Sequence, residues 1–207
     1  MTGRRDHRHP HRSPTLRRTA LLWLVIAGLT ACATGGRLQT AGRTEVLGMT
    51  VETSLDWARY AAPRQEAWTI DGTSLNQLRV ITGTRRGEHV FHLGRERRDG
   101  PEGAWYRPGQ RPDALHELLL VALREQGWAE VASSDLRPAR FGNVEGLRFE
   151  FTMASQRGLR YGGTAAMFER EGELTTIYWQ APLEHYHARD TAAVAALIDS
   201  IEPVGTP

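Results

Sequence analysis

The chain has 207 residues, 40% of them hydrophobic and 24% charged, a size that buries one core without metal or disulfide staples. Arginine supplies all 26 basic residues and lysine is absent, which excludes Schiff-base lysines, lysine general bases and a phosphate-loop lysine. A single cysteine, Cys32, rules out an intrachain disulfide.

The first segment sets where the rest works. Arg4, Arg5, Arg8, Arg12, Arg17 and Arg18 stand against one acid, Asp6, ahead of an uncharged run over residues 20–29. About ten apolar residues are too few to span a bilayer as a helix, and after a cationic stretch they predict a signal peptide over residues 1–31. Leu29-Thr30-Ala31-Cys32 then resembles the lipobox of bacterial lipoproteins, in which a Leu precedes two small residues and the cysteine. The resemblance implies cleavage between Ala31 and Cys32, diacylglycerol on the Cys32 sulfur, and a further acyl chain such as palmitate on the freed amine. Each buried methylene contributes about 0.8 kcal/mol, so two or three chains hold a protein on a membrane almost permanently. Lipidation consumes the one thiol and leaves none for catalysis or metal binding. Ala33, where an Asp would retain a Gram-negative lipoprotein in the inner membrane, implies the outer membrane and a periplasm-facing domain. Arg17-Arg18 is followed by Ala20 instead of the bulky residue of a twin-arginine signal, and reads as ordinary leader charge. Without residues 1–31 the chain keeps 20 basic residues against 23 acidic ones. A mildly acidic mature domain does not fit a nucleic-acid partner.

Residues 32–44 hold the cysteine and a Gly-rich polar stretch without apolar period, expected to be a flexible tether, and residues 45–207 are expected to form one domain. Leu47, Met49 and Val51 alternate with polar neighbours as in a half-buried strand, which Ser54-Leu55-Asp56-Trp57 ends. Asp71-Gly72 signals a turn before a strand over residues 78–82, and Arg85-Arg86-Gly87 is expected to close a hairpin into a strand over residues 89–93. Residues 94–111, rich in Arg, Gly and Pro, predict an exposed loop. Pro112-Asp113 opens a helix with Leu115, Leu118, Leu119, Ala122 and Leu123 on one face, stopped by Gly127. Strands follow over residues 131–141, with Pro138 marking an edge or bulge, then 147–153, 159–168 and 174–180, joined at Gly142-Asn143, Gln156-Arg157-Gly158 and Glu171-Gly172. Val194, Leu197, Ile198 and Ile201 predict a last helix, with Asp190 as N-cap and Pro203 beyond its end.

Strands linked by short turns pair antiparallel, so the pattern predicts an α+β fold, an antiparallel sheet with helices packed on it. The Asp56-Trp57 strand end, the meander over residues 144–180 and the closing Ile198-Asp199-Ser200-Ile201-Glu202 helix resemble the PsbP-type fold. That fold is shared by an extrinsic photosystem protein, a Ran-binding import factor and bacterial lipoproteins of the DcrB type. The resemblance implies an α/β/α sandwich and a protein that binds or scaffolds; it assigns no functional residue.

Chemistry-bearing residues are sparse. Glu184, His185 and His187 offer metal-ligand types, but i and i+2 diverge on a helix and share a side only on an extended segment. His89 and His92 fall on opposite faces of the expected strand. Gly72-Thr73-Ser74-Leu75-Asn76 has the start of a nucleophile elbow, yet Asn76 replaces its last Gly and a strand instead of a helix follows. Seven arginines face four acids between residues 85 and 111, a net of about +3. Arg forks pair phosphates and carboxylates, and exposed aromatics anchor interfaces. Arg95, Arg97, Arg98, Trp105 and Tyr106 are therefore the candidate partner-binding residues. Trp57, Trp68, Trp128 and Trp179 are expected in or beside the core. No catalytic residue, metal site or cofactor is assigned. The expected function is a non-enzymatic, lipid-anchored envelope module that binds an envelope protein or anionic polymer. The alternatives are a carrier of a small hydrophobic ligand or lipid in a sheet–helix pocket at Gly162-Gly163, and a hydrolase using Ser74 or a His185/His187 metal.

Overall fold

A computed structural model describes residues 36–100 and 102–205. Ala31 and Cys32, with the whole signal segment, lie outside the described residues. Eleven strands are β1 (Arg37–Gln39), β2 (Gly42–Val46), β3 (Met49–Thr53), β4 (Trp57–Ala62), β5 (Gln65–Thr69), β6 (Gln77–Thr84), β7 (Ala129–Phe141), β8 (Val144–Ala154), β9 (Arg160–Arg170), β10 (Glu173–Pro182) and β11 (Glu202–Pro203). Helix α1 (Pro112–Glu125) and helix α2 (Ala188–Asp199), the latter preceded by a π-helical turn (Leu183–His187), complete the described elements.

Eight strands form one antiparallel sheet in the order β1-β4-β5-β6-β10-β9-β8-β7, and β11-β3-β2 form a small second sheet. The β8-β9-β10 meander is the predicted one. Its last hairpin closes on Glu171-Gly172, with φ of 54° and 77°, the paired positive angles of a two-residue turn whose twist matches its strands. Pro138 lies on the outermost strand, β7, in regular register with Leu147 just after a register shift between Ser134 and Arg137, so it marks the edge and the irregularity precedes it.

Alternation along these strands makes two cores. Leu147, Phe149, Phe151 and Met153 of β8 join Ala165 and Met167 of β9 on one face, beneath Leu115, Leu119 and Leu123 of α1. Ala166 and Phe168 point to the other face, where Trp57, Trp68 and Trp179 meet Val194, Leu197 and Ile198 of α2 and Val46, Met49 and Val51 of the small sheet. Each large apolar side chain removed from water contributes about 1.5–3 kcal/mol. The layering is richer in sheet than the expected sandwich, because β2, β3 and β11 share the second outer layer with α2.

Three expectations are corrected, and one hairpin is added that the sequence pattern did not announce. The compact unit begins at Gly36, and residues 37–39 and 42–44 of the expected tether are strand: Leu38 pairs with Ala58 and Thr44 with Val51. Residues 57–62 and 65–69 form a hairpin with no apolar alternation to announce it, because Arg59 and Glu66 pair across it at 2.8 Å, only 12% and 8% exposed. Residues 89–93 are not a strand: the segment has only an isolated bridge from His89 to Trp105, the His92 amide turns back to His89 O at 2.8 Å, and His92 has φ 56°. Asp190 is not the α2 N-cap. Its buried carboxylate accepts from Asn76 Nδ2 at 2.5 Å, and Asn76 Oδ1 accepts from Trp179 Nε1 at 3.0 Å.

Gly163 shows how tightly the sheet is packed: a Cβ there would lie 2.2 Å from the Trp179 carbonyl oxygen and 2.4 Å from the Phe151 ring. Gly163→Ala is expected to destabilise the fold by about 2–3 kcal/mol through overpacking. The check is a lowered urea midpoint with an unchanged denaturant slope.

Candidate functional site

Residues 85–111 contain a folded unit built on buried anchors. Val90, Phe91, Ala104 and Tyr106 are 0–2% exposed and join the first core. Backbone bonds tie the segment to itself: Val90 N–H donates to Ala104 O at 3.0 Å, Tyr106 N–H to Glu88 O at 2.9 Å, and Glu96 N–H to Gly87 O at 2.8 Å. The expected exposed loop is therefore a shell over a core, and Tyr106 is corrected from a surface anchor to a buried one. Its hydroxyl donates to Glu169 Oε2 at 2.6 Å. Burial and that carboxylate hold the phenol well above its ordinary pKa.

Glu88, a buried carboxylate that sequence reading passed over, pins the start of the segment. It accepts from Arg64 Nη2 at 2.6 Å, from the Arg85 amide at 3.0 Å and from Arg95 Nη2 at 2.9 Å. The Arg64 bond above all lowers its pKa from 4.5 to about 2. Beside it, His92 Nε2 lies 3.0 Å from Thr84 Oγ1 and 3.3 Å from Arg64 Nη2. Burial first, then the Arg64 charge, pushes His92 below its ordinary value. His89 Nδ1 accepts from the Phe91 amide at 3.0 Å, so Nε2 carries the proton and donates to Glu125 Oε2 of α1 at 2.7 Å. Nothing in the spacing of Glu88 or His89 marks them; only the fold brings Arg64 and Glu125 to them.

On this support the predicted residues separate. Arg95 points one nitrogen at Glu88, and Trp105 is half-buried, its Nε1 donating to Glu102 O at 2.9 Å and its ring edge-on to His89 at 5.5 Å. Arg97 is 80% exposed, with Asp99 at 3.5 Å. Arg98 is exposed, and neither it nor Arg86 has an ion pair among the described residues. Arg107 pairs with Glu96 at 2.6 Å and Arg85 with Glu173 at 2.7 Å. The positive charge without an acid partner among the described residues therefore sits at Arg86 and Arg98, beside Arg97 in its solvated pair with Asp99, on a framework fixed from beneath.

The other candidates fall elsewhere. Ser74 is exposed in the β5–β6 turn, and its carbonyl accepts from the Tyr161 hydroxyl at 2.9 Å. Glu184 and His185 are exposed on the π-helical turn, while His187 stacks on Trp179 at 5.1 Å. The Gly162-Gly163 pocket is filled: a Cβ on Gly162 would meet Leu183 and His187 at 2.6–2.7 Å, and Phe151 fills the space at Gly163. A separate cleft of about 570 Å³ opens where α1 begins, lined by Pro112, Leu115, Pro138, Leu147 and Met167 with Arg140 and Glu169 at hand.

Because the Glu88 pKa is depressed on folding, its stabilisation is full above about pH 4.5 and is lost as pH falls toward 2. Glu88→Gln is expected to cost about 3 kcal/mol at pH 7, leaving Arg64 and Arg95 facing a neutral amide in place of a carboxylate. The gap from the parent chain should close as pH falls from about 5 to 2 in a denaturation series. Tyr106→Phe, which removes one buried hydrogen bond, is expected to cost about 1–2 kcal/mol by the same measurement.

No family model matches the chain, and no curated protein matches it in sequence. Solved structures resemble its fold. Cyanobacterial PsbP (CyanoP) from Synechocystis sp. PCC 6803 superposes with a TM-score of 0.52 at 12% identity, over 81% of this chain and 93% of that one. A Mog1 variant gives 0.50 at 8% identity, over 81% and 98%. A protein of Bacteroides thetaiotaomicron gives 0.44 at 9% identity, over 81% of this chain and 50% of that one, so this chain spans about half its length. At such identities the likeness carries the fold alone: a mostly antiparallel sheet with two helices, PsbP/Mog1-like in layout.

Proposed function

We propose that the mature chain is a non-enzymatic, lipid-anchored envelope module, held by Cys32 on the periplasmic side of the outer membrane, that binds an anionic envelope protein or polymer through residues 94–111. One observation carries this reading: exposed arginines, Arg98 without an acid partner among the described residues and Arg97 with only a solvated one, stand on a segment whose own interior is buried. A preorganised cationic surface loses little conformational entropy on binding, and guanidinium forks suit carboxylate and phosphate groups. Exposed charge raises association rate and specificity more than fold stability, so Arg97 and Arg98 can be replaced with little effect on folding. The PsbP/Mog1-like layout supports a compact scaffold and no particular partner.

A second reading, a carrier for a small apolar ligand, keeps one supporting feature, the cleft at Pro112, Leu115 and Met167, in place of Gly162-Gly163. Mass spectrometry of the protein released from its native membrane, run under non-denaturing conditions, decides it: a bound small molecule lost in Met167→Trp supports the carrier.

For the binding module, crosslinking in whole cells is expected to capture one envelope component with the parent chain. The Arg97→Ala, Arg98→Ala double variant should lose most of that capture while its thermal midpoint stays unchanged. Equal capture by both chains would remove residues 94–111 as the site.

A further inference from the structure

The main sheet is not covered over its whole width. On the side occupied by α1 and residues 85–111, the cover reaches β6, where Arg79 lies over the Phe91 ring at 5.9 Å. Arg79 pairs with Ala67 of β5, Ala67 with Tyr60 of β4, and Ala58, two residues before Tyr60, with Leu38 of β1. Residues paired across a sheet share a face, as do residues two apart along a strand. Leu38, Ala58, Tyr60, Ala62 and Ala67 thus share one largely apolar strip of that face beyond the cover, with Gln65 and Thr69 among them. Leu38 is 67% exposed and Tyr60 43%, and the Tyr60 ring rests against Gly36. At the far end of the strip, Arg64 in the β4–β5 turn holds Glu88 and touches His92. The residue after His92 is Leu93, 62% exposed. Arg37, at the start of β1, is exposed as well.

The chain path says what lies next to this strip. Cys32 and Arg37 are five residues apart, and five residues reach at most about 17 Å even fully extended. Acyl chains on Cys32 fix that residue at the lipid interface, so β1 is held there too. At the opposite edge, seven strand spacings or about 33 Å away, β7 exposes Glu130, Ser133, Ser134 and Asp135. That edge is mostly polar, Leu136 at 43% exposure apart, and fits water; the strip fits the boundary between headgroups and acyl chains, with Arg37 in reach of lipid phosphates.

We infer that the β1–β4 edge, through Leu38, Tyr60, Ala62 and Leu93, is a membrane-seated surface that fixes the orientation of the domain on the bilayer carrying its anchor. The inference rests on the lipid-anchor reading of Cys32, and the test separates the two. In the acylated protein an introduced cysteine is the only free thiol. Leu38→Cys, Ala62→Cys and, as control, Ser134→Cys are each labelled with an environment-sensitive fluorophore. The acylated proteins are then placed in phosphatidylethanolamine/phosphatidylglycerol vesicles containing nitroxide-labelled lipid. Labels at 38 and 62 are expected to shift to the blue and lose most of their emission, while the label at 134 stays bright. Equal quenching at all three positions, or none at any, overturns the orientation while the anchor stands. A Cys32 that carries no acyl mass when the protein is isolated from its native membrane overturns the anchor, and the inference with it.

Discussion

A strand buried on both faces has to be covered twice, and that requirement shapes this molecule. From Tyr161 to Phe168 every residue of β9 is buried, and so is every residue of β10 from Leu174 to Pro182. Antiparallel sheets commonly leave one face in water; here neither face of the centre can. Helix α1 with residues 85–111 closes one side, and α2 with the small sheet closes the other. The small residues of β9 follow from the same demand. At Gly162 and Gly163 the space of a side chain is taken by Leu183, His187 and Phe151, so the site where sequence alone would put a ligand is where the two layers come nearest the sheet backbone.

Burial also decides which charges matter. Most arginine–carboxylate pairs here are solvated, such as Arg43–Glu202 at 66% and 60% exposure, and pairs of that kind contribute about 0–1 kcal/mol. Glu88 is different: it is 12% exposed and has three donors. Its charge cannot be left unpaired without a penalty of several kcal/mol, so wherever the segment goes, Arg64, Arg85 and Arg95 must go with it. One carboxylate thereby turns a Gly- and Pro-rich stretch into a fixed surface. The arginines further out are not held this way: Arg97 has only a solvated pair with Asp99 and Arg98 has none among the described residues, so both remain available.

Periodicity made the two helices and the meander legible, because Leu147, Phe149, Phe151 and Met153, or Val194, Leu197 and Ile198, meet the core on the period of their own element. Where side chains are satisfied by distant partners, the pattern is silent. The β4–β5 hairpin places Arg59 and Glu66 where apolar residues would announce a strand, and their pairing is visible only once the strands are side by side. Asp190 carries every sequence mark of a helix cap, yet Asn76, more than a hundred residues away, claims its carboxylate. In the candidate site, composition identified the arginines correctly as charge but could not rank them, since exposure depends on which face of a folded loop each one leaves. Tyr106 and Trp105 are neighbours with opposite fates for that reason.

On the proposed lipid-anchor reading, the short path from Cys32 to β1 changes what such an anchor would do. A domain on a long flexible tether samples every orientation, and its binding surfaces meet the membrane only on average; effective concentration then falls with linker length. Five residues allow little of that sampling. A sheet whose first strand is tied to the interface has its long axis, the direction from β1 to β7, set by the apolar strip instead of by chance. The basic segment begins beside that strip through the Arg64–Glu88 contact, so a seated domain would present Arg97 and Arg98 at a nearly constant height above the headgroups. A partner recognised there would be an envelope component lying close to the same membrane, selected by position before it is selected by charge.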